Sequence, residues 1–144
     1  MDSRRRRLCM SSVAAALASV PPLHALSQCG ADGDDFRVTL LGTGSPQPSV
    51  ERFGPGVLVQ VAGQVLLFDC GRGVAQRLVQ AHLKLGAADK LFLTHLHSDH
   101  TVGIPDLWLT GWLEPPWGQR RGPFQVFGPA GTRQLMEHLE KAYA

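Results

Sequence analysis

The sequence predicts an α/β (α+β) fold in which helices pack against a β-sheet. Short runs rich in β-branched and apolar residues, typical of strands, dominate the first half of the 144 residues. In the second half, strand-like runs alternate with segments whose apolar residues recur at helical spacing. Early hairpins followed by alternating strands and helices favour helices packed on a sheet. The content of 44% hydrophobic and 18% charged residues is that of an ordinary globular domain.

The predicted strands of the first half follow a short polar segment. Residues 26–35 are small, polar and acidic, and we interpret them as a linker. The run FRVTLLG is predicted to form the first strand, and the GTGSPQPS that follows has the composition of a loop. GVLVQVA and QVLLFDCG are two more strand-like runs on either side of Gly63. We therefore expect a β-hairpin with its turn at that glycine.

Helices and strands alternate in the second half. VAQRLVQAHLKLG has apolar residues at helical spacing and is predicted to be a helix that ends before Gly86. KLFLTH and FQVFG are short strand-like runs. PDLWLTGWL is predicted to begin a helix with Pro105 in its first turn. The last segment, PAGTRQLMEHLEKAYA, is predicted to be an amphipathic helix.

Residues 1–25 have the pattern of an export signal. Four arginines precede a moderately apolar run that ends in PPLHA, and cleavage after Ala25 is predicted. The SRR at the start also resembles a twin-arginine signal. We expect a periplasmic or extracellular protein, with a cytoplasmic one as the alternative if this segment is not a signal. The apolar run is too short and too polar to predict a membrane span.

The overall charge of +2 depends on those first residues. Without residues 1–25, ten basic side chains face eleven acidic ones, so the net charge becomes −1. This balance predicts no surface that would attract nucleic acid by charge alone. Cys29 and Cys70 then remain, and they are either two free thiols or a disulfide in an oxidising compartment.

A dense group of metal-ligand residues directly follows one predicted strand. In THLHSDH, residues 94–100, His95 and His97 are two apart and point to the same side of an extended chain. Asp99 is expected to continue this alternation, and His100 to follow where the chain turns away. Imidazole and carboxylate groups together suit zinc, with iron and manganese as alternatives. The four residues therefore predict a metal site at the edge of the sheet.

These motifs resemble the metallo-β-lactamase superfamily. THLHSDH matches its H-x-H-x-D-H motif, and LLGTGSPQPS, LLFDCGRG and VFGPAGTRQLMEHLEKAY are similar to the ribonuclease Z and arylsulfatase-like branch. The resemblance covers residues 36–144. It implies an αββα sandwich of which this sequence holds the N-terminal part, and a site with two metal ions, usually zinc.

The resemblance also assigns roles to individual residues. His95 and His97 match ligands of one ion, whereas Asp99 and His100 match ligands of the other. Asp99 is also expected to move protons during turnover, and Asp69 to orient a ligand. Gly42, Gly44 and Ser45 match the loop that we take as a candidate for contacting substrate. A turn-capping role is the alternative for Asp69.

The implied function is hydrolysis of a phosphodiester or a sulfate ester, with a small molecule or a nucleotide as substrate. The family completes its site with downstream ligands, and only His138 follows the motif here; we predict that His138 and His82 are helix residues rather than ligands. A truncated, catalytically incompetent metal-binding fragment is therefore one alternative, and tRNA 3′-end processing or iron-based redox chemistry are others. Homodimerisation of the intact protein is left open.

Overall fold

The computed structural model describes residues 36–143, which form one mixed sheet with helices on one of its faces. The strands are β1 (Arg37–Gly42), β2 (Gly56–Val61), β3 (Gln64–Phe68), β4 (Lys90–Phe92) and β5 (Gln125–Phe127). The helices are α1 (Val74–Gln80), α2 (Ser98–Thr101), α3 (Ile104–Thr110) and α4 (Thr132–Tyr143). A 3-10 turn, Leu85–Ala87, precedes β4. The predicted export signal and linker, residues 1–35, lie outside the described residues.

The strands pair in the order in which they occur along the chain. β1, β2 and β3 are antiparallel neighbours, whereas β3, β4 and β5 run parallel to one another. In the antiparallel part, the loop of residues 43–55 joins β1 to β2 and a two-residue turn joins β2 to β3, while each parallel connection returns through helical segments, as parallel pairing requires. This arrangement places the ends of β3 and β4 side by side. Asp69 follows the end of β3, and the motif of residues 94–100 follows the end of β4.

The predicted hairpin turn is confirmed at the junction of β2 and β3. Val61 pairs with Gln64, so only two residues connect the strands. Ala62 and Gly63 both have positive φ, 47° and 72°. Two positive φ values are the requirement of the two-residue turn whose twist matches that of the strands. Gly63 adopts this conformation without strain, and Ala62 adopts it at some cost.

The core lies between the helices and one face of the sheet. The side chains of Leu58, Leu67 and Leu91 come from three neighbouring strands and are almost fully buried. Leu78 of α1 and Leu107 of α3 cover them, with no exposed surface of their own. The alternation along each strand therefore places these leucines on the helix-covered face, as the predicted α/β arrangement requires.

Helix α1 ends earlier than the sequence pattern predicted. The helix was expected to continue almost to Gly86, but it ends at Gln80, and His82 has a positive φ of 58°. The amide of His82 donates to the carbonyl of Val79, and that of Leu83 donates to the carbonyl of Leu78. These two bonds form a Schellman motif, which satisfies the last carbonyls and reverses the chain. His82 is thus a capping residue rather than a helix residue.

Arg120 holds the end of α3 to the preceding chain. Its side chain is 4% exposed, and Nη1 donates to the carbonyl of Trp108 at 2.8 Å. Nη2 lies 3.4–3.5 Å from the carbonyls of Leu85, Ala88 and Leu107. Burial lowers the pKa of this guanidinium, although Asp89 opposes the effect. The buried cation stabilises the C-terminal carbonyls of α3, where positive charge is favourable.

The opposite face of the sheet carries a continuous apolar row. Its members lie opposite one another on successive strands: Leu40, Val57, Phe68, Phe92 and Phe127. The rings of Phe68 and Phe92 stack at 5.1 Å between centroids, and those of Phe92 and Phe127 at 4.9 Å. Leu40 and Phe127 are 65% and 46% exposed among the described residues. A sheet with two apolar faces is the middle component of a layered sandwich.

Two further predictions concern the state of the cysteines and the absence of a membrane span. Cys70 is a free thiol with no exposed surface, and burial, followed by Asp106 and Asp69, raises its pKa. Cys29 lies outside the described residues. Within residues 36–143, no helix has both the length and the hydrophobicity needed to cross a membrane.

Candidate metal centre

The predicted ligands lie at the end of two adjacent parallel strands. Asp69 immediately follows β3, and its amide donates to the carbonyl of Phe92, the last residue of β4. The amide of Leu93 in turn donates to the carbonyl of Phe127 at the end of β5. Backbone hydrogen bonds therefore connect the C-terminal ends of β3, β4 and β5. Side chains that leave the sheet here are held by a rigid scaffold.

The three histidines of the motif form one cluster. The ring centroids of His95 and His97 are 4.6 Å apart, with the rings nearly perpendicular at 79°. The ring of His95 lies 3.9 Å from that of His100. Nε2 of His100 is 3.6 Å from a carboxylate oxygen of Asp99. The structure thus brings all four predicted ligands to one place, where His95, Asp99 and His100 are partly buried and His97 is exposed.

The backbone of the motif differs from the prediction beyond His97. An extended chain was expected to carry Asp99 to the same side as the first two histidines. Instead, His97 is the last extended residue, with φ −61° and ψ 149°, and α2 begins at Ser98. The amide of His100 donates to the carbonyl of His97, which starts the helical turn. Asp99 and His100 therefore reach the cluster because the chain coils back, and not through strand alternation.

Asp69 lies beneath this cluster and contacts it from the neighbouring strand. Its side chain is 7% exposed. Oδ1 accepts hydrogen bonds from the amide and the hydroxyl of Thr94, at 2.9 and 3.0 Å. Oδ2 lies 2.8 Å from Nδ1 of His100, although this buried nitrogen has no hydrogen bond of regular geometry. Asp69 adopts a φ of 60°, which Asp tolerates better than most residues.

Glycines let the motif approach the Asp69 turn closely. A side chain on Gly71 would lie 2.5 Å from the carbonyl oxygen of Asp99, and one on Gly103 would lie 2.4 Å from the carbonyl oxygen of Gly71. The amide of Cys70 donates to the carbonyl of His100, and the amide of Gly103 donates back to Cys70. The backbone of helix α2 therefore packs directly against the backbone of residues 69–71.

The predicted substrate loop contains glycines with a packing role. A Cβ on Gly42 would lie 1.8 Å from the carbonyl oxygen of Gly54, and one on Gly44 would lie 2.1 Å from that of Phe53. The amide of Gly44 donates to the carbonyl of Phe53 at 2.7 Å. Both glycines therefore allow the loop to fold closely on itself. Ser45 is exposed at its surface.

Two other histidines and a cleft beside α4 lie apart from the motif. His82 and His138 are exposed, the latter on α4 as predicted. A cleft of about 810 Å³ is lined by residues of β5 and α4, such as Phe127 and Met136, and by Trp108. None of the four predicted ligands lines it. The predicted metal site is therefore separate from that cleft.

The residues fit a metal centre in type but not in number. Imidazole nitrogens and carboxylate oxygens converge, which is the donor set that zinc, iron and manganese accept. Within residues 36–143, however, no group of three or more His, Cys, Asp or Glu side chains is arranged so that it could hold a metal ion. Zinc usually takes three or four protein ligands. The cluster accordingly provides suitable donor types but no complete ligand set within residues 36–143.

Sequence analysis did not identify Thr94 as a site residue. Its hydroxyl lies between the Asp69 carboxylate and Nδ1 of His95, at 3.0 Å from the nitrogen. The only sequence signal was a hydrogen-bonding residue directly before the first histidine of the motif. Its contact with Asp69 spans 25 positions, and no local pattern predicts such a contact.

Comparison with known proteins agrees with this fold. Residues 36–116 match a family model described as Anti-Pycsar protein Apyc1. A ribonuclease Z of Mycobacterium marinum is 43% identical over 108 residues, which are 75% of this chain and 38% of that protein. The chain thus spans less than two fifths of the length of the curated relatives that it matches.

Solved structures show the same arrangement. The short form of human tRNase Z is 36% identical, with a TM-score of 0.63, over 74% of this chain and 40% of that one. The metallo-β-lactamase fold protein YhfI from Bacillus subtilis is 26% identical, with a TM-score of 0.62, over 72% and 42% of the two chains. The predicted metallo-β-lactamase fold is confirmed. The chain belongs to the metallo-β-lactamase superfamily, in its ribonuclease Z-like branch, and to the family described as Anti-Pycsar protein Apyc1.

Proposed function

We propose that this segment forms half of a two-metal centre in a hydrolase that cleaves phosphodiester bonds. The observation that carries the proposal is the convergence of His95, His97, Asp99 and His100 at the sheet edge. The names of its relatives, Ribonuclease Z and tRNase Z, support a phosphodiester as the bond that is cleaved. Zinc is the proposed metal because three of the four donors are imidazoles.

Each side chain has a distinct task in this proposal. His95 and His97 would hold one ion, while Asp99 and His100 would hold the other. Such ions activate water at neutral pH and stabilise the negative charge that develops on phosphoryl oxygens. The Asp99 carboxylate is the acidic group of the motif itself, so it would take a proton from water and deliver it to the leaving oxygen. Asp69 would keep the His100 ring oriented from below.

Cleavage of tRNA precursors is the second candidate function, and the names of the relatives favour it. The charge of the chain favours a smaller substrate, because residues 26–144 carry eleven acidic and ten basic side chains. Binding to a long nucleic acid depends on many lysine and arginine contacts with phosphates. The predicted export of the protein, which depends on residues 1–25, also favours a small phosphodiester over tRNA. We retain sulfate esters as a competing substrate class.

The test is zinc-dependent hydrolysis by the full 144-residue chain. The chain is stripped of metal with a chelator, zinc is restored, and bis(p-nitrophenyl) phosphate, p-nitrophenyl sulfate and a tRNA precursor are offered in parallel. Of the three substrates, we expect turnover of the phosphodiester only, and at a low rate, because the ligand set within residues 36–143 is incomplete. His97→Ala and Asp99→Ala should reduce it by more than the roughly 10- to 100-fold that loss of a ligand-orienting group costs. His138→Ala is the matched control and should leave turnover unchanged.

Each other outcome selects a different interpretation. Zinc uptake without turnover of any substrate favours the catalytically incompetent metal-binding fragment. Faster cleavage of the sulfate ester or of the tRNA precursor replaces the proposed substrate class. An absence of both zinc uptake and turnover, in a chain that is folded, contradicts the proposed function.

A further inference from the structure

The hydroxyl of Thr94 contacts both the Asp69 carboxylate and the imidazole of His95. Its hydroxyl lies 2.8 Å from Oδ2 and 3.0 Å from Oδ1 of Asp69, and 3.0 Å from Nδ1 of His95. Its amide also donates to Oδ1 of Asp69, at 2.9 Å. Three hydrogen-bonding groups from two strand ends therefore converge on this one side chain.

The donors and acceptors in these contacts determine which nitrogen of the neutral His95 ring carries the proton. A carboxylate accepts hydrogen bonds and donates none, so the single hydroxyl proton of Thr94 is directed to Asp69. The oxygen of Thr94 then faces Nδ1 of His95 with a lone pair, and that contact needs a proton on Nδ1. A neutral imidazole carries only one ring proton. Nε2 of His95 consequently has a free lone pair, which is the form that binds a metal.

We propose that Thr94 is a positioning residue that fixes the tautomer and ring direction of His95, so that Nε2 is kept free for a metal ion. The part of this inference that concerns the metal rests on the proposed function. The buried Asp69, at 7% exposure, anchors the arrangement, because its oxygens are poorly reached by water that could replace Thr94. Metal-binding histidines in general use the second ring nitrogen in this way.

The experiment reads the tautomer directly in the metal-free 144-residue chain. Two-bond nitrogen–proton NMR correlations identify which ring nitrogen carries the proton, at a pH well above the ordinary pKa of histidine. The loss of one signal set in His95→Gln assigns His95. Thr94→Val removes the hydroxyl at nearly constant volume, whereas Thr94→Ser retains it. Thr110→Val is the matched control, because that hydroxyl bonds only to the carbonyl of Asp106 within α3.

We expect His95 to carry its proton on Nδ1 in the native chain, in Thr94→Ser and in Thr110→Val. In Thr94→Val the proton should move wholly or partly to Nε2. Zinc affinity, measured by competition with a chelating dye, should fall by about 10- to 100-fold in Thr94→Val. Thr94→Ser should restore affinity to within a few-fold of the native value. Denaturation midpoints of all variants show whether a change in affinity reflects loss of folding.

Two results would overturn the inference. One is a proton on Nε2 of His95 in the native chain, which needs no variant to be folded. The other is an unchanged tautomer or an unchanged zinc affinity in a folded Thr94→Val chain. If the native chain takes up no zinc, the proposed function fails, and the NMR result still decides whether Thr94 controls His95. If zinc binds and Thr94→Val has no effect, the function stands and the role of Thr94 does not.

Discussion

Replacement of Gly71 by alanine should destabilise the fold and the metal centre together. The added Cβ would lie 2.5 Å from the carbonyl oxygen of Asp99, 2.6 Å from the carbonyl carbon of Gly54 and 2.7 Å from the nitrogen of Pro55. Favourable contacts of carbon lie at about 3.5–4.0 Å. Each of the three atoms belongs to the backbone, so a side-chain rotation cannot relieve the overlap.

The expected loss can be set against known overpacking effects. Extra methyl groups in packed interiors cost about 1–3 kcal/mol, and occasionally more. Because the backbone of two chain segments, residues 54–55 and Asp99, must move at once, we expect Gly71→Ala to lose about 3 kcal/mol of unfolding free energy. With a urea dependence of about 2 kcal/mol per molar, the denaturation midpoint should drop by about 1.5 M. Zinc affinity should fall as well, since Asp99 is one of the segments displaced.

Gly122→Ala is the matched control for this prediction. A Cβ at that position has no heavy atom within 4 Å, and its φ lies outside the left-handed region. Its stability should therefore be unchanged or raised by about 0.4–1 kcal/mol, through restriction of the unfolded chain. Equal urea midpoints for Gly71→Ala and Gly122→Ala would refute the close packing on which the docking of α2 depends.

Three further changes test the core, the buried cation and the buried thiol. Leu67→Ala, at a site with no exposed surface, should lose about 2–5 kcal/mol in urea denaturation, whereas Val79→Ala, at 42% exposure, should change stability by about 0.5 kcal/mol or less. Arg120→Met should lose about 2–3 kcal/mol of unfolding free energy, because the carbonyls at the end of α3 lose their charged donor. The control is Arg121→Met at an exposed position, which should be nearly neutral. Equal losses in the two variants would contradict the role of Arg120. Burial raises the pKa of Cys70, so the folded thiol stays protonated where the unfolded one ionises. Above a pH of about 8.5, native stability should therefore fall relative to Cys70→Ala by about 1.4 kcal/mol per pH unit, and parallel curves would rule this out.

Local sequence patterns were sufficient to predict most elements of this fold. The turn at Gly63 was predictable because two apolar runs flank a short Gly-containing connection, and the structure has the two positive φ values there. Pro105 marked the start of α3, and the apolar spacing after Gly131 marked α4. The grouping of His95, His97, Asp99 and His100 was equally predictable, because all four lie within six consecutive residues. Their roles as metal ligands stay predictions.

What the sequence by itself determined is therefore most of the elements, the family motif and the donor atoms. Tertiary structure alone decided how those donors are oriented: Asp69 meets Thr94 because β3 and β4 are parallel neighbours, across 25 positions of chain. It also decided that α2 begins at Ser98 and that Gly71 lies against Asp99. Periodicity reports the direction of a side chain relative to its own segment. The registration of one segment against another is set by packing and hydrogen bonds between distant residues, which no local pattern contains.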